Sequence, residues 1–338
     1  MNEGMRNRKF GKNHFSVTPL GLGLAALGRP GYINLGHADD LKRNYGVESM
    51  EKQTHTILDA AWDAGIRYFD VARSYGRAEA FLSSWLIKRN IDQESVTVGS
   101  KWGYTYTADW QVELNDGQKH EIKEHSLKVL QRQIKESKDL LGSYLKLYQI
   151  HSTTLDSKVL SNQSVLTELA RLRDAGLAIG FSVSGVQQSE TIWRALDVEF
   201  DGEQLFSSVQ ATWNLLEQSA TAALDAAHEA GLGIIIKETL ANGRLTPRNT
   251  STSFLAQMAI LKTQADAHNT SLDALALGAV IQQSFADVVL SGAASIDHLH
   301  SNIASLDIVW DDSLDDFLGE LVEPAEIYWK KRSQLNWN

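Results

Sequence analysis

Short apolar runs that end in polar residues recur along the chain, and amphipathic segments separate them. Eight such runs occupy residues 20–28, 66–72, 95–103, 144–152, 177–185, 206–214, 232–240 and 286–295. Runs of this length are typical of buried parallel strands. In one intervening segment, Val165, Leu166, Leu169 and Leu172 fall on the same helical face. The pattern therefore predicts strands that alternate with helices.

A weak internal repeat marks the boundaries between these units. The sequences DAGI, DAGL and EAGL begin at Asp63, Asp174 and Glu229, and each closes a helix-like segment and opens an apolar run. Each glycine is where a helix commonly places a left-handed terminal residue. Alternating strands and helices indicate a parallel sheet, and eight units favour a closed (β/α)₈ TIM barrel over an open doubly wound sheet.

Three segments fall outside the eight units. Residues 8–20 alternate apolar and polar positions like a small N-terminal β-hairpin, residues 250–270 have helical character, and residues 314–329 form an amphipathic C-terminal helical extension. The chain has four prolines and no segment with the composition of a linker. We therefore predict one domain over residues 1–338.

Composition and charge narrow the class of protein. The net charge is −10 without clusters of lysine or arginine, which argues against nucleic-acid and anionic-membrane partners. Cysteine is absent, which excludes disulfides, thiolate metal sites and cysteine nucleophiles. No metal site is predicted. With no apolar leader at residues 1–15 and no apolar run of 18 residues, a cytoplasmic location is expected. The oligomeric state stays open.

Polar residues stand where several predicted strands end. They are Asp70, Lys101, His151, Ser182, Gln210 and Lys237, with Tyr75 in the loop after Asp70. The chemistry of such barrels lies at the carboxyl ends of the strands. A lysine there needs a counter-ion, which Asp70 can supply, and a neighbouring cation is expected to lower the pKa of the Tyr75 phenol.

Each of these residues also has a structural interpretation when taken alone. Asp70 can cap a turn, Lys101 can lie at the barrel rim, and His151 can be a core residue with satisfied hydrogen bonds. Four such residues at successive strand ends favour a joint function. Tyr75 is then the candidate proton donor, and His151 the candidate group that orients a substrate oxygen.

This order of residues resembles the aldo-keto reductase superfamily over residues 20–305. The resemblance is carried by the sequences FDVARSYGRAEAFL, GSKWG, YQIHS, IGFSVSG, VQATWNLLE, LANGRLT and LSGAASIDHLHSN. It implies a catalytic tetrad of Asp70, Tyr75, Lys101 and His151. It also implies an NAD(P)-dependent oxidoreductase that passes hydride to an aldehyde, ketone or aldose carbonyl, or runs the reverse oxidation.

The resemblance further implies a set of cofactor-binding residues. They are Gly23, Leu24, Ala25, Asp70, Ser182, Gln210, Lys237, Leu240, Asn242, Gly292, Ser295, His298 and Asn302. Lys237 stands where many members carry an aromatic side chain. NADP(H) is the family expectation, but Ala294 and His298 stand where NADP-preferring members often have lysine or arginine, so NAD(H) is a second hypothesis.

Substrate recognition has weaker signals in the sequence. Aromatic side chains in or near loops at the catalytic face are Tyr32, Trp102, Tyr104, Trp110 and Trp213, of which Tyr32, Trp102 and Trp213 are the predicted pocket residues. The segment 29–46 is long for a first loop and is expected to fold over the barrel mouth. Two rival functions remain: a non-catalytic cofactor-binding regulatory barrel, and an aldolase that uses Lys101 or Lys237 as a Schiff base.

Overall fold

The computed structural model describes residues 5–310, 314 and 319–338. The strands are β1 (Arg8–Lys9), β2 (Ser16–Val17), β3 (Leu20–Gly23), β4 (Tyr68–Asp70), β5 (Thr97–Trp102), β6 (Tyr104–Tyr106), β7 (Glu121–Lys123), β8 (Leu145–Thr153), β9 (Ala178–Val183), β10 (Glu199–Phe200), β11 (Glu203–Gln204), β12 (Ser208–Thr212), β13 (Gly233–Lys237) and β14 (Val288–Ser291). The helices are α1 (His37–Asp40), α2 (Val47–Asp63), α3 (Ala78–Lys88), α4 (Leu127–Leu141), α5 (Gln163–Asp174), α6 (Gln188–Leu196), α7 (Thr221–Glu229), α8 (Leu255–Ala267), α9 (Leu272–Ile281), α10 (Ile296–Ala304) and α11 (Ala325–Ser333).

Eight parallel strands form a closed barrel. Their order is β3, β4, β5, β8, β9, β12, β13 and β14, and β14 pairs with β3 to close the ring. Each predicted apolar run contains one of these strands. The strands are buried on both faces, inside the barrel and against the helices, which explains their nearly continuous apolar sequence. The predicted (β/α)₈ barrel is confirmed.

The three repeated glycines lie directly after helices. Gly65, Gly176 and Gly231 have φ angles of +100°, +92° and +87°, and they follow α2, α5 and α7. Only glycine adopts this left-handed conformation without strain, so the repeat marks the points where the chain leaves a helix for the next strand.

The N-terminal hairpin closes the end of the barrel where the strands begin. β1 and β2 pair in antiparallel orientation, as predicted, and the turn between them carries Phe10. The Phe10 ring is fully buried, and it lies where a Cβ atom on Gly233 would come within 2.5 Å. Phe10 packs with Tyr68 and Leu147, which stand at strand starts. This end of the barrel is therefore filled by side chains.

The remaining helical predictions fall partly on described residues. The segment 250–270 contains α8, as expected. The predicted extension at 314–329 includes residues 315–318, which lie outside the described residues, as do 311–313. Its described part leads into α11, where Tyr328 and Trp329 pack against Leu216 and Leu245. None of the helices in the described ranges is long and apolar enough to cross a membrane.

Candidate active site

A cavity of about 600 Å³ opens where the barrel strands end. Gly23, Asp70, Gln210, Lys237 and Ser291 bring the ends of five strands to its wall. Tyr75 and His151 line the same cavity. Four of the six predicted strand-end residues, Asp70, His151, Gln210 and Lys237, thus line one cavity, whereas Lys101 and Ser182 lie behind its wall.

Asp70, Lys101 and Tyr75 form one hydrogen-bonded group. The Lys101 ammonium is fully buried and donates to the Asp70 carboxylate, to the Val71 carbonyl at 3.0 Å and to the Tyr75 hydroxyl at 3.4 Å. Gln210 Nε2 donates to the second Asp70 oxygen at 2.9 Å. A buried ammonium is tolerated because each of these acceptors replaces water.

The pKa of the Tyr75 phenol is raised, whereas the sequence-based prediction was that it is lowered. Burial, followed by the Asp70 carboxylate, raises the pKa of Tyr75 well above its ordinary value, and Arg29 opposes this only in part. The predicted lowering by Lys101 was wrong, because the prediction left out the desolvation of a buried phenolate. The phenol therefore keeps its proton at neutral pH.

His151 completes the group as a neutral imidazole. Burial, with Lys101 and Arg29 adding positive charge nearby, lowers the pKa of His151 well below its usual value. Its ring lies edge-on to Tyr75 at 5.5 Å and to Tyr104 at 4.9 Å between centroids. His125 Nε2 donates to the His151 carbonyl at 2.9 Å and so fixes the backbone at this position.

The turn that carries Tyr75 is locked against the first loop of the barrel. Gly76 has φ of +59°, and a Cβ atom on Gly28 would come within 2.3 Å of the Tyr75 carbonyl oxygen. Arg77 N donates to the Gly28 carbonyl at 2.7 Å, and Arg29 Nη1 donates to the Ser74 carbonyl at 3.0 Å. Two glycines at the contact allow the backbones to approach this closely.

Most residues predicted to bind the cofactor line the cavity. Those in its wall are Gly23, Ala25, Asp70, Gln210, Lys237, Leu240, Asn242, Gly292, His298 and Asn302. The structure does not bring Leu24, Ser182 and Ser295 to the wall. Leu24 is fully buried, Ser182 Oγ accepts from Ser152 N at 2.8 Å, and Ser295 accepts from His298 N as the N-cap of α10.

The part of the cavity lined by Asn242, Gly292, His298 and Asn302 has unpaired amide oxygens and open space beside the backbone. The Oδ1 atoms of Asn242 and Asn302 are buried and have no hydrogen-bond partner among the described residues. No atom lies within 4 Å of the position that a Cβ atom on Gly292 would take. Acceptors without donors beside an open backbone suit a polar ligand, and they fit the nucleotide portion of a dinucleotide.

An acidic group lies at this end beside His298. Asp40, in the first loop, forms an ion pair with Arg248 and lies 3.8 Å from His298 Nδ1, with its side chain only 4% exposed. Arg248 Nη2 lies 3.3 Å from His298 Nε2. Asp40 ends α1 and Arg248 lies in a loop, so neither residue carries the strand-end signal on which the sequence-based prediction depended.

The aromatic side chains divide between the cavity and the core. Tyr32 and Tyr104 line the cavity. The expectation for Trp102 and Trp213 is corrected, because both indoles are buried in the core and absent from the cavity lining. Trp110 packs on Phe81 at 6.3 Å and donates to the Tyr45 carbonyl at 2.6 Å.

Four charged residues that the sequence did not predict line the same cavity as Tyr75. They are Arg29, Glu121, Glu238 and Arg332, and Trp337 joins them in the cavity wall. Glu238 follows Lys237 at a strand end and had a signal in the sequence. Glu121, Arg332 and Trp337 reach the cavity only through the path of distant segments. Within the described ranges, no group of three or more His, Cys, Asp or Glu side chains is arranged to hold a metal ion.

Comparison with known proteins identifies the family. The model of the Aldo/keto reductase family matches residues 19–315, so the chain belongs to this family of oxidoreductases, which act on small-molecule carbonyl compounds and generally use NAD(P)H.

Its relatives are distant in sequence. Pyridoxal 4-dehydrogenase from Microbacterium luteolum is 25% identical, and the match covers 88% of this chain and 91% of that protein. Aldo-keto reductase str7 from Strobilurus tenacellus is 23% identical, with 97% and 95% covered. The holo structure of aldo-keto reductase AKR11C1 from Bacillus halodurans superimposes with a TM-score of 0.72 at 20% identity, covering 95% of this chain and 97% of that one.

Proposed function

We propose that this protein is a nicotinamide-dependent reductase of aldehydes, ketones or aldoses, with Tyr75 as the proton donor. The observation that carries the proposal is that Asp70, Tyr75 and His151 line one cavity at the carboxyl ends of the strands, while the buried Lys101 ammonium donates to both Asp70 and Tyr75. The same group supports the reverse oxidation of an alcohol or sugar.

The roles of the four side chains follow from their environment. A bound nicotinamide cofactor supplies the hydride. Tyr75 holds its phenol proton because the pKa is raised, so it donates a proton to a carbonyl oxygen that gains negative charge. Lys101 stabilises the resulting phenolate at 3.4 Å, and Asp70 holds Lys101 in place. Neutral His151 orients the carbonyl oxygen.

For the cofactor, we infer a preference for NAD(H). A 2′-phosphate bound at His298 would be repelled by the Asp40 carboxylate, which lies outside the cavity lining but 3.8 Å from His298 Nδ1. The Arg248 guanidinium that could offset the phosphate charge is already paired with Asp40. A ribose 2′-hydroxyl, in contrast, can donate to a carboxylate. The Asp40–Arg248 pair therefore supports the same preference as the absence of lysine or arginine at positions 294 and 298.

The proposal is tested by mixing the purified protein with NADH or NADPH and a panel of aldehydes, ketones and aldoses while cofactor absorbance is followed. We expect substrate-dependent oxidation of the reduced cofactor. Tight cofactor binding without turnover of any carbonyl compound would contradict the proposal and favour a regulatory barrel.

A Schiff-base aldolase is the second candidate, because Lys237 lines the cavity and burial lowers its pKa to about 8. A lysine with a lowered pKa is a better nucleophile toward a carbonyl carbon. Lys101 is unsuited to this role, since it is paired with Asp70. Borohydride trapping of a carbonyl substrate on Lys237 would support the aldolase, and mass spectrometry of the treated protein would detect it.

A further inference from the structure

Two ion pairs form part of the cavity wall around Tyr75. Arg29 Nη1 lies 2.8 Å from Glu121 Oε2, and the Arg29 side chain is only 4% exposed. Arg332 binds Glu238 through two hydrogen bonds of 2.7 Å and 3.2 Å, and the Glu238 side chain is 8% exposed. With Tyr32 and Trp337, these four residues are called the ion-pair subsite.

The ion-pair subsite is close to the candidate proton donor. The Arg29 Cζ atom lies 5.4 Å from the centre of the Tyr75 ring. The carboxylates of Glu121 and Glu238 both contribute to the raised pKa of Tyr75, so charges from both pairs reach its hydroxyl. The subsite and the Tyr75 hydroxyl therefore belong to one cavity, into which a carbonyl compound bound at Tyr75 extends.

The charges of the subsite balance one another. Each guanidinium group is bound by one carboxylate, so an anionic substrate would have to displace Glu121 or Glu238 to reach a cation. Lys237 is an additional cation, but its ammonium donates to Thr212 Oγ1 at 2.7 Å and lies 3.8 Å from Glu238. Lys237 also ends β13 and is one of the predicted cofactor residues.

Aromatic faces accompany the charges. The Arg29 Cζ atom lies 5.4 Å from the Tyr32 ring and 4.8 Å from the Trp337 ring. The Trp337 ring stacks on His120 at 4.0 Å with an angle of 3° between the planes, which holds the indole in position. The aromatic side chains of Tyr32 and Trp337 thus lie beside the two ion pairs in the cavity wall.

We propose, on the basis of the proposed function, that the ion-pair subsite selects uncharged polyhydroxylated carbonyl substrates. A hydroxyl group both donates and accepts, so it can bond to a carboxylate and to a guanidinium at the same time without separating them. The C–H groups of a sugar chain meet the parts of Tyr32 and Trp337 that line the cavity. A polyol therefore satisfies both kinds of surface.

Binding of alkyl aldehydes and of carboxylate-bearing aldehydes is disfavoured at this subsite. An alkyl aldehyde would remove water from Glu121 and Arg332, the more exposed member of each pair, and return no hydrogen bonds. A carboxylate-bearing aldehyde would bring a third negative charge beside two carboxylates, where like-charge contact and desolvation both oppose binding.

A four-carbon series tests the proposal directly. Erythrose, butanal and succinate semialdehyde share an aldehyde and chain length but differ in hydroxyl groups and charge. We expect kcat/KM for erythrose, referred to the free-aldehyde concentration, to exceed both others by at least about tenfold, or about 1.4 kcal/mol. A preference for butanal or the semialdehyde would overturn the proposal.

An isosteric substitution that removes one negative charge provides a second test. Glu121→Gln leaves Arg29 without its carboxylate, so the kcat/KM ratio of succinate semialdehyde to erythrose is expected to rise by about tenfold. Glu113→Gln removes the same charge from an exposed residue of the same loop and should leave the ratio unchanged. An unchanged ratio in Glu121→Gln would contradict the assignment of the subsite.

Ligand binding separates failure of the subsite from failure of the proposed function. The corresponding alcohols, erythritol, 1-butanol and 4-hydroxybutyrate, are titrated into the wild-type protein, and saturation-transfer difference NMR measures each dissociation constant. Tightest binding of erythritol supports the subsite even if no carbonyl compound is turned over. Equal or tighter binding of the other two refutes it, even if the protein is an active reductase.

Discussion

At the scale of single residues, the chemistry depends on a phenol that keeps its proton. Tyr75 lies in a wall where burial and Asp70 disfavour the phenolate, while Lys101 stands ready at 3.4 Å to stabilise it. The raised pKa and the nearby cation are compatible, because the first protects the donor and the second assists the transfer.

Replacing Tyr75 by phenylalanine should separate chemistry from binding. We expect Tyr75→Phe to lower kcat by at least about 100-fold, the loss typical of a general acid, with cofactor affinity unchanged. Steady-state kinetics and cofactor fluorescence titration measure the two quantities. Tyr144→Phe is the control, because Tyr144 OH donates to the Ile91 carbonyl at 2.6 Å, away from the cavity. Full activity of Tyr75→Phe would refute its role.

Asp40 should set the choice between the two cofactors. Asp40→Asn removes the carboxylate and frees Arg248, so the kcat/KM ratio of NADPH to NADH is expected to rise by about tenfold or more, or about 1.4 kcal/mol. Asp39→Asn is a matched control, since Asp39 is an exposed neighbour whose carboxylate pairs with Arg43 instead of Arg248. A wild-type preference for NADPH above about tenfold would contradict the inferred use of NAD(H).

His125 should make the fold sensitive to acid. Burial lowers its pKa to about 4, so below about pH 6.5 the unfolded chain takes up a proton that the folded chain resists. The contribution to the free energy of unfolding is full above pH 6.5 and falls, by at most about 3 kcal/mol, as the pH drops to 4.

The measurement for His125 is urea unfolding of wild type and His125→Gln between pH 7 and 4. The variant should lose less stability over this window. Part of the effect remains in the variant, because burial also lowers the pKa of His37 to about 4 and that of His151 well below its usual value. The exposed His300 supplies the matched variant His300→Gln. Parallel curves for wild type and His125→Gln would contradict the argument.

At the scale of elements, the strand ends were predictable and the loop contacts were not. Asp70, Lys101 and His151 end apolar runs, and parallel strands bring their carboxyl ends together. The prediction that Trp102 lines the pocket was wrong for a reason that the sequence contains. Side chains alternate along a strand, so an inward Lys101 requires Trp102 to face the helices. The roles of Arg332 and Trp337 depend on a chain path that no local pattern encodes.

The contact between the first loop and the Tyr75 turn should respond to one methyl group. Gly28→Ala would place a Cβ atom 2.4 Å from the Ala78 Cβ atom and 2.3 Å from the Tyr75 carbonyl oxygen, so the turn must shift. We expect kcat to fall by at least about tenfold, since small misplacement of a reacting group is costly. Gly46→Ala, in the same loop, meets its nearest atom at 3.5 Å and is the control. Wild-type kcat in Gly28→Ala would contradict this view.

At the scale of the whole molecule, the two ends of the barrel have different tasks. The end where strands begin is packed by Phe10, Tyr68 and Leu147, whereas the other end opens into the cavity. The polar strand ends predicted which end of the barrel carries the chemistry, and the hairpin was predicted without its position at the other end. The sequence did not predict the ion-pair subsite, because its members come from four separate segments of the chain.

Phe10→Ala should therefore cost stability without costing chemistry. Truncation of this fully buried ring is expected to lower the free energy of unfolding by about 3–5 kcal/mol, as for other buried aromatic residues. Denaturant unfolding measures the change. Because Phe10 lies at the opposite end from Tyr75, kcat at a temperature where the variant is folded should match wild type, and a large fall in kcat would show that the two ends are coupled.

The close approach of Gly28 and Gly76 has a consequence for protein engineering. A Cβ atom on Gly28 would clash with the backbone of the Tyr75 turn, and a Cβ atom on Gly76 would clash with the backbone of the first loop. The two segments therefore fit only as a matched pair. A chimera that imports the first loop of a relative to change substrate preference would bring a foreign surface against the proton donor. Loop transplantation in this barrel should therefore exchange residues 28–29 and 74–77 together.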